Sequence, residues 1–486
     1  MPVNFQTPPI FNSIHAVHTE LLRSVYTSTF PNSDPCCPLQ SVMEVTIEDS
    51  LAKVITTAVP KSRVQSLQAT TSPGLHRIYR ALTRDGTIIQ CSLPQPPNRR
   101  MLRCEYGSIR SEATILQWLS GLCEEQPESG SSKSTIVDTE DKSEVRNRIR
   151  AQAILEYLPG LLDHGMAGTM HQLQYNVLAP RPGRVLSTLG SSLTAAIRKS
   201  ADFQIGQMLR RISLLHSPTS YFGSAEAVLP PVPQRSTPEQ RRASVLAPRE
   251  TFTSWSDAFG EMLHSAIQDA QASQITASYD SIRRCLHRFA HALDAVIEPR
   301  LVLIDAGLDQ NVLVAIQEAD SDNSDTSDNE SGASEKLNDS NSSDSSGNAA
   351  TQIKVTGLRE WIKPIFGDPL LNIRLSQTNS EHVVHGFSTP LADTLDDMKE
   401  VSEGLSRNRQ YVQIRLNLYR VYHALNAISV EYIRRDDDSD PRELRARKAL
   451  VEAVRELEAL DEAEASKRRR RLLEVAPSKR QRTWNP

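Results

Sequence analysis

Two short segments of this chain combine residue types that can do chemistry. Residues 301–314 read Leu-Val-Leu-Ile-Asp-Ala-Gly-Leu-Asp-Gln-Asn-Val-Leu-Val. Residues 355–371 read Val-Thr-Gly-Leu-Arg-Glu-Trp-Ile-Lys-Pro-Ile-Phe-Gly-Asp-Pro-Leu-Leu. Each begins as an apolar, strand-like run and ends in a loop bearing a carboxylate or an amide. Oxygen ligands of this kind suit Mg²⁺, and a loop carboxylate can accept the proton of a hydroxyl group. Phosphoryl transfer is the chemistry that asks for such a set. It needs a cation on the nucleotide phosphates, a helix carboxylate to fix that cation, one or two metal ions and a carboxylate base.

The elements that must position these residues are partly legible. A strand pattern starts near Leu75 and runs through 76–82, an Asp85-Gly86 turn and 88–93, which predicts a hairpin. Apolar residues at 109, 113, 115, 116 and 119 predict a helix that carries Glu112. Residues 153–158 and 174–183 read as short strands, the second ending in a Pro/Gly turn. Helices follow at about 191–216, 251–272 and 276–297, and two more at about 407–435 and 440–474. Polar stretches at 124–147, 224–250 and 318–350 read as loops too hydrophilic to offset their ordering entropy. This order predicts an α+β chain: an N-terminal extension over 1–65, a strand-bearing part over 66–175, a helical part over 176–460 and a basic tail over 461–486.

Composition narrows the class. The 486 residues carry 55 Lys and Arg against 59 Asp and Glu, so no global field points to nucleic acid or membrane. No apolar run reaches the roughly 20 residues of a membrane helix, and the first residues lack the charged and apolar regions of a secretory signal. Six scattered cysteines make no disulfide framework and no zinc spacing, which points to cytosol or nucleus.

Several motifs in chain order carry a resemblance. They are Met101-Leu-Arg-Cys-Glu with Glu112-Ala-Thr-Ile-Leu, then Tyr175-Asn-Val-Leu-Ala-Pro-Arg-Pro-Gly, and Met208-Leu-Arg-Arg-Ile-Ser-Leu-Leu-His. Asp305 to Val314 and Thr356-Gly-Leu-Arg-Glu-Trp with Phe366-Gly-Asp-Pro complete them, the last being the most specific. With these the chain resembles the aminoglycoside-phosphotransferase-like (phosphotransferase enzyme) family, in its divergent fungal branch, from about Gly74 to Leu457. The resemblance implies a two-lobed protein-kinase-like fold, ATP and Mg²⁺ as cofactors, and a small-molecule hydroxyl as acceptor. It implies Asp305 as base, Glu112 as the helix carboxylate, and Asn311 and Glu360 as metal ligands. Asp368 is expected to cap the following helix.

The chain also departs from that pattern. Five residues, where the family has four, separate Asp305 from Asn311, and no His precedes Asp305. Glu360 stands where the family has Asp, one methylene longer. Between Gly86 and Asn98 there is no Lys or Arg, so Gln90, Cys91 or Ser92 occupies the place of the phosphate-holding Lys. Lys61, Arg80 or Arg84 would have to substitute. An inactive kinase-like scaffold therefore stands beside the phosphotransferase reading.

Plainer readings accompany each residue. Asp305 and Asn311 suit turns, Asp309 is a rival base, Glu112 can be a solvated helix acid, and Cys91 a small buried residue. His287 and His291 lie at i, i+4, without the Glu of a His-Glu-x-x-His metal helix. The serines of the acidic insert are open to phosphorylation. Two basic clusters close the chain: Lys467, Arg468, Arg469, Arg470 and Arg471, then Lys479, Arg480 and Arg482. They are candidates for a nuclear import receptor; only Trp484 offers an aromatic platform, so nucleic acid is not expected.

Overall fold

A computed structural model describes residues 39–70, 75–124, 142–167, 173–232, 250–317, 352–377, 380–390 and 409–475. Contacts divide the chain into two units, Met1–Ser50 and Leu51–Pro486. The described part of the first unit is helical and belongs to α1 (Leu39–Ala58). All that follows concerns the second.

Its first half is a five-stranded antiparallel sheet in the order β1-β2-β3-β5-β4. The strands are β1 (Val64–Thr70), β2 (Arg77–Thr83), β3 (Ile88–Leu93), β4 (Gly160–Ala167) and β5 (Leu173–Ala179). The Asp85-Gly86 turn closes the β2–β3 hairpin as expected, with Leu82 opposite Ile88 and Gly86 at φ 82°. Between β3 and β4 lies α2 (Ser108–Glu124), whose Ile109, Ala113, Ile115, Leu116 and Leu119 are all buried. That stripe is the predicted one, and burying each large aliphatic side chain is worth about 1.5–3 kcal/mol.

The second half is mainly helical: α4 (Ala195–Ser213), α5 (Trp255–Ala272), α6 (Tyr279–Arg288), α7 (Glu381–Ser388), α8 (Arg409–Ile433) and α9 (Ser439–Val475). Two small sheets thread it, β10-β9-β6 and β7-β11-β8. Here β6 is Arg184–Val185, β7 Gly223–Ser224, β8 Arg300–Leu303, β9 Val312–Gln317, β10 Gln352–Leu358 and β11 Pro364–Gly367. β9 and β10 pair antiparallel from Gln317 opposite Gln352. The acidic insert thus joins the two strands of a hairpin; its own residues lie outside the described ones.

The architecture is α+β, as expected, with an antiparallel sheet half followed by a mainly helical half. One apolar core joins the halves, taking Leu116, Leu119 and Leu178 from the first and Leu358, Trp361 and Phe366 from the second. A second core, built on Trp255, Phe259, Tyr419 and Leu457, holds the helices together. No helix among the described residues is long and apolar enough to cross a membrane.

Three local expectations are corrected. Residues 153–158 form no strand but a 3-10 turn, Leu155–Tyr157. Ile154 and Tyr157, three positions apart, are buried together with Leu158, while Leu155 between them is exposed, so the alternation of a half-buried strand is absent. The predicted loop 124–147 ends inside a helix, α3 (Lys142–Gln152). Buried Asn147 anchors it: its side chain donates to the carbonyl of His216 and accepts the His216 N–H, both at 3.0 Å. The aperiodic N-terminal stretch holds α1, whose Leu51 and Ile55 are buried one turn apart.

Candidate functional site

The candidate residues meet between the two halves. β8 delivers Asp305, and a turn through Gly307 at φ 87° delivers Asn311 just before β9. Ile205 and Arg374 pack within 3.0 Å of where a Cβ would stand on Gly307, so a larger residue would strain this turn twice over. β10 ends at Leu358 and hands the chain to Arg359, Glu360 and Trp361. α2 brings Glu112 to the same place. Its carboxylate accepts the Trp361 N–H and the Asn176 Nδ2–H, each at 2.9 Å.

Each candidate is engaged by another part of the chain. The Asn311 amide is clamped on the Glu360 backbone, with Nδ2 donating to the carbonyl at 3.0 Å and Oδ1 accepting the N–H at 2.9 Å. The Arg359 N–H also donates to the Asn311 carbonyl at 2.8 Å. Glu360 is buried, with Oε2 2.7 Å from the Arg359 guanidinium and Oε1 3.2 Å from Nδ1 of His76. The His76 N–H donates to the same Oε1 at 3.3 Å. We read the Nδ1 contact as an ion pair, since its alignment falls short of a hydrogen bond.

Burial works against both charges of this pair. For Glu360 the close contact and charge of His76 and the charge of Arg359 outweigh it and hold the carboxyl at about 2. For His76, the close contact with Glu360 and the Glu360 and Glu112 charges prevail, and the imidazole is raised above its ordinary value. Burial pushes the Glu112 carboxyl up, against the pull of His76 and the Trp361 N–H. Glu112 is thus not the solvated helix acid of the plain reading.

Asp305 meets Lys363, with Nζ 2.8 Å from Oδ2. Lys363 sits at φ 51°, a region that costs a residue with a Cβ about 1–3 kcal/mol. Burial opposes its charge, but Asp305 raises its pKa well above the ordinary lysine value. The rival base Asp309 is bidentate to Arg198 at 2.6 and 3.0 Å, and Arg198 also reaches Asp202. Where the resemblance would put a phosphate-holding Lys, β3 presents Gln90, Cys91 and Ser92, all buried. Gln90 Nε2 lies 3.5 Å from the Arg359 carbonyl. Burial drives the Cys91 thiol up to about 12, as suits an inert core residue. Arg80, cross-strand from Gln90, is exposed, as are Lys61 and Arg84.

These residues do not fit an ATP–Mg²⁺ group. Both ends of the Asn311 amide hold backbone, Glu360 already faces an imidazole and a guanidinium, and β3 supplies no cation. Mg²⁺ demands near-ideal octahedral oxygen ligands, and neither proposed ligand offers an unengaged oxygen array. Among the described residues, no group of three or more His, Cys, Asp or Glu could hold a metal ion, His287 and His291 included.

Sequence reasoning missed His76 and Lys363. Their partners lie 284 and 58 positions away, and no local spacing marks either. Asp368 does what was expected of it: Oδ1 accepts the Leu370 N–H at 3.1 Å and caps the turn Pro369–Leu371. Lys467 to Arg471 fall on the C-terminal backbone of α9; Lys479, Arg480 and Arg482 lie outside the described residues.

No family model matches the chain, and no curated protein matches it. Solved structures do. A protein described as a fructosamine-3-kinase from Thermobifida fusca is 12% identical at a TM-score of 0.44, covering 84% of this chain and 98% of its own. A thermostable variant of the aminoglycoside phosphotransferase APH(4)-Ia, in complex with AMP-PNP and hygromycin B, is 12% identical at 0.42, with 84% and 98% covered. A type I macrolide 2'-phosphotransferase is 11% identical at 0.36, with 85% and 97% covered. Small-molecule phosphotransferases are thus what this chain is similar to, and the activity of none of them is carried over by a likeness of this degree.

Proposed function

We propose that this chain is a kinase-like pseudoenzyme: a phosphotransferase scaffold whose nucleotide cleft is filled by its own side chains and which serves as an interaction module. The observation that carries this reading is the Asn311–Glu360 clamp, in which both would-be metal ligands are spent on one another and on His76. The missing cation in β3 supports it independently, because transition-state charge would go unneutralised. The basic residues from Lys467 to Arg482 are proposed as contacts for a nuclear import receptor. If they are, a chain lacking 467–482 shifts toward the cytoplasm, whereas an unchanged distribution removes the idea.

A second reading is an ATP- and Mg²⁺-dependent phosphotransferase acting on a small-molecule hydroxyl through a degenerate site. It is favoured by one observation: Asp305 keeps a part-exposed side chain, and only Lys363 pairs with it among the described residues. A thermal shift with ATP separates the two. Ligand at 100 times Kd stabilises a fold by about 2.7 kcal/mol, which moves Tm by several degrees. The pseudoenzyme reading predicts no shift at millimolar ATP with Mg²⁺. A metal-dependent shift that disappears in Asn311→Ala and Glu360→Ala would establish the second reading instead.

A further inference from the structure

Leu75 and His76, which lead into β2, are both buried. His76 touches two elements of different halves. Its Nε2 is 2.8 Å from Oγ of Ser108 on α2, and its Nδ1 is 3.2 Å from Glu360 beyond β10. The same Nδ1 lies 3.8 Å from Glu112. The charged groups around the imidazole are therefore Glu112 from α2 and Glu360 with Arg359 from the loop after β10. Two buried carboxylates face an imidazole and a guanidinium, and the third acid, Asp305, faces Lys363. Buried carboxylates without partners would carry a desolvation penalty of several kcal/mol each. In a phosphotransferase a metal ion and a lysine meet that need. Here cations of the chain itself meet it.

We propose that His76 is an internal latch. It holds the segment before β2 down on Glu360 and α2, so the sheet half and the helical half stay closed on each other without metal or nucleotide. The latch deepens the pseudoenzyme reading, since it concerns the same cleft, but its test uses neither nucleotide nor activity.

A histidine that only fills its own pocket would loosen its own surroundings when removed. A latch loosens both sides. Hydrogen exchange on the full chain without nucleotide reads the difference. In His76→Ala, exchange should rise by about tenfold or more both at 75–79 and at 356–362, while residues 414–428 of α8 stay protected. His423→Ala is the control: His423 is buried within the helical half, 2.7 Å from the Leu371 carbonyl, so exchange should rise near 371 and 423 and not at 75–79 or 356–362. If His76→Ala does not fold, Glu360→Gln keeps the shape, removes the charge and should loosen the same two segments. A rise confined to 75–79, or none at either segment, overturns the latch. Adding ATP and Mg²⁺ in a separate arm tests the pseudoenzyme reading alone: protection gained there would contradict that reading and leave the latch result standing.

Discussion

Two buried polar networks in this molecule use the same chemistry to different ends. In the helical half, Asp368 Oδ2 accepts the Tyr419 hydroxyl at 2.7 Å and pairs with Arg415 at 2.8 Å, while Trp255 Nε1 donates to the Tyr419 oxygen at 2.7 Å. Its members come from α5, α8 and the turn after β11, all within one helical core. In the cleft, Glu360, Glu112, Asn311, Asn176 and His76 come from both halves. The first network holds one packing unit together. The second ties the sheet half to the helical half. Burial and satisfaction of a carboxylate are thus no mark of a working site; what its partners leave exposed decides that.

The largest effect is expected from the helical network. Asp368→Ala leaves Arg415 buried without its partner and should cost about 3–5 kcal/mol, read as a lower denaturation midpoint with unchanged m-value. A cost below 1 kcal/mol would remove the contrast between the networks.

Next comes the clamp. Asn311→Ala takes their side-chain partner from the buried N–H and carbonyl of Glu360, at the low end of about 1–3 kcal/mol for each group, because water can enter the space the amide leaves. The loss should localise to 356–362 by hydrogen exchange, whereas Asp368→Ala should act globally. Equal, global losses in both variants would show that the cleft network is only more core.

The pH dependence sharpens the comparison. His76 is raised in the folded state, so its contribution is fully present below its ordinary value of 6.5 and fades as pH rises through the native value. Glu360 is held at about 2 against an ordinary 4.5, so its contribution is present above 4.5 and lost as pH falls through about 2. The stability gap between the wild-type chain and His76→Gln should therefore be widest from about pH 4.5 to 6.5 and narrow on the alkaline side. A gap that widens with rising pH would contradict the imidazolium pairing.

The smallest effect is expected on β3. Gln90→Lys places a cation on β3, but Glu112 already holds the Trp361 N–H and Asn176. Nucleotide binding should stay absent, with a stability loss from the buried ammonium. Recovery of binding by this one change would place the defect in β3 alone.

The sequence showed the scaffold better than the state of the site. The Asp85-Gly86 hairpin, the α2 stripe and the two C-terminal helices at 407–435 and 440–474 follow from local turn chemistry and periodicity, and they recur as β2–β3, α2, α8 and α9. α1 and α3 were not legible, because few of their described positions are buried and those few are set among polar residues. Glu112, Asn311, Glu360 and Asp305 were legible as a group by their order along the chain. Their present partners were not, since His76 and Lys363 acquire meaning only once the halves fold together.

The most direct measurement is calorimetric titration of ATP with Mg²⁺ into the full-length wild-type chain and into Glu360→Ala. The pseudoenzyme account predicts no binding heat in either up to millimolar nucleotide. A saturable, Mg²⁺-dependent heat in the wild type that vanishes in Glu360→Ala would contradict it.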